Sequence, residues 1–186
     1  MNIYFIANRK FNDTEIINFN NLKPKESDII VRYNGGEEER LFNNRTDLIF
    51  TRCKGYNCQG FDEKYHHKQK NNFLLYIIKA NEVKIPCEKE ILQNNNLKIK
   101  YIDKDLNIFK KHKDIIDIDL TTGFYSIEYL LDKHKNKIDN YYLLGFNFFK
   151  NDPNKIKEHE DIHDFKYEYD YFKDKLNDDK RMIWFE

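Results

Sequence analysis

The chain has 186 residues, with 32 basic and 32 acidic side chains and so no net charge. That balance excludes the basic excess on which binding to nucleic-acid phosphates depends. Three cysteines are too few and odd in number for a disulfide framework. No apolar run reaches the ~18–20 residues of a membrane-spanning helix. Recurrent blocks of Ile, Leu, Phe and Tyr exclude a disordered chain.

In chain order, Asn2 to Ala7 reads as a strand, apolar on both faces and therefore central. Arg9 and Lys10 follow the apolar run, the wrong order for a secretory signal, so a cytosolic protein is expected. Asn8 to Asp13 is a loop, and Thr14 to Phe19 a short helix. Asp28 to Tyr33 is a second strand. Arg32 and Asn34 stand two residues apart at its C-terminal end and share one side. Ligands of open α/β sheets collect at such ends. Asn34-Gly35 is equally a plain turn signal.

Asp47 to Thr51 is a third strand, followed by a polar loop from Gly55 to Asn72. Cys53, Cys58, His66 and His67 match no common zinc spacing and read as loop cysteines and a solvated His pair. Phe73 to Ala80 is the strongest strand by composition. Lys84 to Leu92 is a short helix, Lys98 to Ile102 an edge or half-buried strand, and Leu106 to Ile116 is ambiguous. Asp117-Ile118-Asp119 is either a carboxylate pair for a divalent ion or a strand end.

The stretch from Leu120 to Phe149 organises the chain. Thr121, Thr122 and Gly123 open a helix whose Phe124, Ile127, Leu130 and Leu131 share one face. Lys133 to Asn140 is a polar loop, and Tyr141 to Phe146 a buried strand. A small-residue helix start can present N–H groups and the positive end of the helix dipole to a phosphate. An ordinary hydroxyl-capped helix has the same sequence. After a charged loop from Asn151 to Glu160, Phe165, Tyr169, Phe172 and Leu176 form another helix face, with His163 and Asp164 at its start. Arg181 to Phe185 completes the sheet. The alternation predicts a single α/β domain, a mostly parallel sheet flanked by helices.

Four stretches carry a resemblance. "TTGFYSIEYLL…YYLLGFNFF" resembles the S sialylmotif of the animal-type and bacterial sialyltransferases. "SDIIVRYNGG" is similar to the end of their L motif, and "HDFKYE" to the very short motif, His, four residues, Glu. "IYFIANRKFN" stands where that family has a strand and a Gly-Asn-Gly or Gly-Asn-Ser loop, although Ala7 and Arg9 flank Asn8 here. The resemblance implies a Rossmann-like, GT-A-variant-like nucleotide fold. It also implies inverting transfer of sialic acid or a related 2-keto sugar acid from a CMP-sugar to a glycan hydroxyl.

Residue by residue, the resemblance implies His163 as general base, with Glu168 completing its motif. His159 is the one nearby residue for the second histidine by which some members assist phosphate departure, at shorter spacing than theirs. Asn8, Arg32, Asn34, Thr121, Thr122, Gly123 and Gly145 fall on donor-binding positions. No metal and no cofactor beyond the CMP-sugar donor is implied. Nothing in the chain corresponds to the membrane anchor and stem of the animal enzymes. The bacterial relatives' tyrosines have unaligned counterparts in Tyr125, Tyr141 and Tyr142, and Asp119 and Leu120 stand where those relatives have an Arg. A non-catalytic nucleotide- or sugar-binding module of the same fold is the alternative, CMP-sugar hydrolysis a second, and an interaction protein a third.

Overall fold

The structure is a computed structural model, and it describes residues 1–33, 39–54, 57–59, 74–79, 98–103, 106–113, 115, 120–146 and 163–185. Eight strands form one sheet: β1 (Asn2–Ile6), β2 (Ile29–Tyr33), β3 (Leu48–Lys54), β4 (Asn57–Gln59), β5 (Leu74–Lys79), β6 (Lys98–Asp103), β7 (Asn140–Leu144) and β8 (Met182–Phe185). The order is β6-β5-β3-β2-β1-β7-β8, parallel at every step, with β4 antiparallel beside β3. The four described α-helices are α1 (Asp13–Asn20), α2 (Asn107–Lys113), α3 (Thr122–His134) and α4 (Phe165–Asp178). This is an α/β architecture with a mostly parallel sheet, as the alternation of elements predicts.

Alternation along the strands divides the core in two. Ile3, Phe5, Val31, Tyr33, Phe50, Tyr141 and Leu143 face a cluster completed by Phe109, Phe124, Ile127, Leu130, Phe165 and Phe172 of α2, α3 and α4. Tyr4, Ile6, Ile30 and Leu144 face the other way, onto Phe11, Ile16 and Phe19 and onto Leu41 and Phe42. Residues of both faces are buried, which is why β1 and β7 read as continuous apolar runs rather than alternating ones.

Local chemistry sets the helix starts. Asn12 Oδ1 accepts from Glu15 N (2.9 Å) and Glu15 Oε2 accepts from Asn12 N (2.8 Å), a reciprocal capping box worth on the order of 1 kcal/mol. Thr121 Oγ1 caps α3 through Phe124 N, and Asp164 Oδ1 caps α4 through Tyr167 N. The cap of α4 is therefore Asp164, the stronger acceptor, and His163 lies outside the helix.

Several boundaries differ from the sequence reading. Helix α3 runs to His134, into the expected polar loop, because Leu130 and Leu131 still have core to bury. The ambiguous Leu106 to Ile116 segment holds α2, anchored by the buried Phe109 and His112. β3 continues to Lys54, and β4 lies within the expected Gly55 to Asn72 loop, so Cys53 and Cys58 are strand residues. The expected edge strand, β6, is at the edge. Among the described residues, no helix is long and apolar enough to cross a membrane. The Lys84 to Leu92 helix, the His66-His67 pair and Asp117-Ile118-Asp119 lie outside the described residues.

Candidate functional site

The chain builds from β1 outward through β2, β3, β5 and β6, then returns to place β7 and β8 on the other side of β1. Strand order reverses between β1 and β7, and open α/β sheets bind ligands outside the C-terminal ends of strands at such a reversal. Here those ends are Ile6 and Leu144, joined beyond the strands by Ala7 N donating to Leu144 O at 3.0 Å. Asn8 follows β1 and is exposed; Gly145 follows β7 and is buried.

Gly145 has φ +72°, and a Cβ there would stand 2.2 Å from Phe11 Cε1 and 2.9 Å from Arg9 Nε. Only glycine fits both the backbone and the space. Its carbonyl accepts from Arg9 Nε at 2.9 Å. The rest of the Arg9 guanidinium is held by Glu15 (2.7 Å and 3.3 Å) and by Lys10 O, and it lies 4.3 Å from the Phe11 ring centroid. The Arg9 hydrogen bond holds the Glu15 carboxyl below its ordinary range, against the opposing effect of partial burial. Arg9 thus joins the ends of β1 and β7 to the cap of α1.

On the α3 side the junction is tighter. Glu168 is fully buried, and both carboxylate oxygens accept from Thr121: Oε1 from the backbone N at 2.5 Å, Oε2 from Oγ1 at 2.6 Å. The carboxylate sits at the positive end of α3, where the dipole and short charge-assisted bonds favour an anion. Thr121 and Glu168 are 47 residues apart in sequence. Gly123 lies beside the Phe146 ring, where an added Cβ would approach Cε1 to 3.0 Å. Phe146 packs edge-on against Tyr33 (centroids 5.7 Å), its carbonyl accepts from Trp184 Nε1 at 2.7 Å, and the Tyr33 hydroxyl is paired with Ser126 Oγ at 2.9 Å.

The expected site residues fall into groups. Thr121, Thr122, Gly123 and Glu168 meet at the α3–α4 junction; Gly145 and Phe146 connect it to Asn8 and Arg9 across the ends of β7 and β1. His163 is half-buried, its ring 5.7 Å from that of Phe165. Arg32 is placed elsewhere. Its side chain is 1 % exposed, on the α1 side of the sheet, with Nη2 donating to Leu41 O and Nε to Arg45 O. There it braces Phe42, Asn43 and Asn44, whose φ values are 52°, 54° and 59°. Asn34 and His159 lie outside the described residues. Tyr125 and Tyr141 are buried and Tyr142 half-buried, stacked on Tyr4 at 4.5 Å.

A second polar cluster, unremarked in the sequence, joins α2, α3 and α4. The buried Glu128 accepts from Lys175 (2.6 Å), Tyr171 (2.9 Å) and Lys111 (3.1 Å), and His112 Nε2 stands 3.8 Å from its Oε2. His112 is buried, with Nδ1 2.7 Å from the Tyr167 hydroxyl. Burial pushes the Glu128 carboxyl up; His112 and the two ammonium groups push it down further, to well below the carboxylate range. At 3.8 Å the imidazole is beyond hydrogen-bond reach, so we assign the lowering chiefly to Lys175. Glu128 interrupts the apolar series Phe124, Ile127, Leu131, and that interruption is the signal that marks it in the sequence.

A cavity of about 480 Å³ bounded by Asn20, Lys23, Phe42 and Arg45 lies on the α1 side, and one of about 240 Å³ bounded by Lys111, Glu128, Lys175 and Arg181 lies beside the helical layer. Neither has Thr121 or Gly145 on its walls. Among the described residues, no group of three or more His, Cys, Asp or Glu side chains could hold a metal ion. No protein-family model, curated protein or solved structure matches the chain.

Proposed function

We propose that the protein is an inverting glycosyltransferase of the sialyltransferase-like, GT-A-variant-like kind, transferring sialic acid or a related 2-keto sugar acid from a CMP-sugar to a glycan hydroxyl. The observation that carries the reading is the contact between Thr121 and Glu168. The Thr-Thr-Gly turn and the His-x4-Glu pattern are separate stretches of the resemblance, and their residues touch beside a strand-order reversal.

In this reading the His163 imidazole takes the acceptor hydroxyl proton as the oxygen bonds to the anomeric carbon. The bond from that carbon to the CMP phosphate breaks on the opposite face, inverting the centre. The N–H groups of Thr122 and Gly123 and the Thr122 hydroxyl stabilise the departing phosphate, next to the Glu168 carboxylate at the start of α3. Glu168 positions the first turn of α4, and hence His163, against that turn. Asn8 and Gly145 border the nucleotide, and Asn34 is assigned from sequence alone. The transfer needs no metal and no cofactor beyond the donor.

The placement of Arg9 favours a second reading, a nucleotide- or sugar-binding module without turnover. Its guanidinium, the cation nearest Asn8 in the chain, is already engaged by Glu15, Lys10 O and Gly145 O. Incubation with CMP-sialic acid, with and without a mixture of glycan acceptors, separates the readings. The transferase gives sialylated product that His163→Ala abolishes. Binding of the donor with neither transfer nor CMP release establishes the module instead.

A further inference from the structure

The β3–β4 ladder pairs Arg52 with Gln59, Cys53 with Cys58 and Lys54 with Asn57. Residues directly opposite in an antiparallel ladder have Cα atoms about 4.5–5.5 Å apart. A disulfide spans Cα separations of about 4.4–6.8 Å. The register therefore brings two of the chain's three cysteines to a bridgeable position. We propose that Cys53 and Cys58 are a dithiol–disulfide pair that staples the β3–β4 hairpin.

The hairpin's place gives the pair its consequence. β2 pairs with β3 through Tyr33 opposite Phe50, while β5 stays on the other side of β3 as far as Cys53. β4 therefore occupies the position beside β3 that β2 leaves free after Tyr33. This is the C-terminal rim of the sheet, the rim that carries the candidate site. Closure of the pair fixes this rim strand to β3, and opening releases it. Chemically, each thiol gives up one proton and one electron as the S–S bond forms. A low-molecular-weight disulfide such as oxidised glutathione accepts the electrons and is cleaved to two thiols, by attack of a Cys thiolate and resolution of the mixed disulfide.

The test uses the intact wild-type chain. It is equilibrated without air in buffers of defined reduced-to-oxidised glutathione ratio, free thiols are alkylated, and peptides are mapped by mass spectrometry. The proposal expects the peptide containing Cys53 and Cys58 to escape alkylation in oxidising buffer and to weigh two hydrogens less than its dithiol form. Dithiothreitol restores two alkylation sites, and Cys87 enters no link to either cysteine. In Cys53→Ser, Cys58 carries glutathione instead of an internal link. Wild-type Cys53 and Cys58 that remain alkylatable, that stop at glutathione adducts, or that link to Cys87 overturn the proposal.

Discussion

Replacing Glu128 by Gln tests the helical layer that presents Thr121. The glutamate side chain is 6 % exposed and gathers donors from α2 and α4 onto α3. The bond from Lys175 is charge-assisted and largely shielded, worth about 1.5–3 kcal/mol. Lys111 is more than half exposed, so its share is small. An amide oxygen can still accept from Tyr171, while the amide N–H groups now face cations. The expected loss is about 2 kcal/mol, read from the urea midpoint at pH 7 with an unchanged slope.

The pH dependence supplies a second arm. The folded Glu128 carboxyl titrates below its unfolded value of about 4.3. Its stabilisation is therefore present above pH ~4.3 and is lost as pH falls toward the folded pKa, at up to ~1.36 kcal/mol per pH unit. Glu128→Gln should narrow its deficit against wild type steadily below pH ~4.3. A deficit that stays constant from pH 7 to pH 3 refutes the assignment of this stabilisation to the ionised carboxylate.

Glu168→Gln removes the anion at the start of α3, and an amide cannot accept from both Thr121 donors. A loss of about 2–3 kcal/mol is expected in denaturant unfolding, together with faster hydrogen exchange at the Thr121 amide. Gly145→Ala puts a methyl group 2.2 Å from Phe11 in a left-handed backbone position. It should cost about 2 kcal/mol or more and lower the thermal midpoint by several degrees, whereas Gly123→Ala, with one 3.0 Å ring contact to relax, should cost about 1 kcal/mol or less.

Much of this fold is legible from local pattern. β1, β2 and β7 are apolar runs because parallel strands buried on both faces admit few polar side chains. α3 and α4 show their apolar spacing, and the hydroxyl and carboxylate caps mark their starts. β4 is not legible, since three residues, Asn57–Gln59, carry no periodicity. Nor is the placement of Arg32, whose partners Leu41 O and Arg45 O are backbone carbonyls that no side-chain pattern encodes. For the site, the Thr-Thr-Gly turn and the His-x4-Glu spacing single out Thr121 and Glu168. Their contact depends on how α4 packs on α3, and that is a property of the three-dimensional core. The engagement of Arg9 by Glu15 follows from a capping box that Asn12 and Glu15 spell out three residues apart.

The central claim is a CMP site at the ends of β1 and β7 beside the Thr121 turn. The most direct measurement is a titration of the isotope-labelled protein with CMP, beside UMP, AMP and GMP, following assigned backbone amides. The account predicts a saturable response specific to CMP, centred on Asn8, Thr122, Gly123 and Gly145 and weakened in Asn34→Ala. The absence of any response to millimolar nucleotide, or a response confined to residues away from these positions, would contradict it.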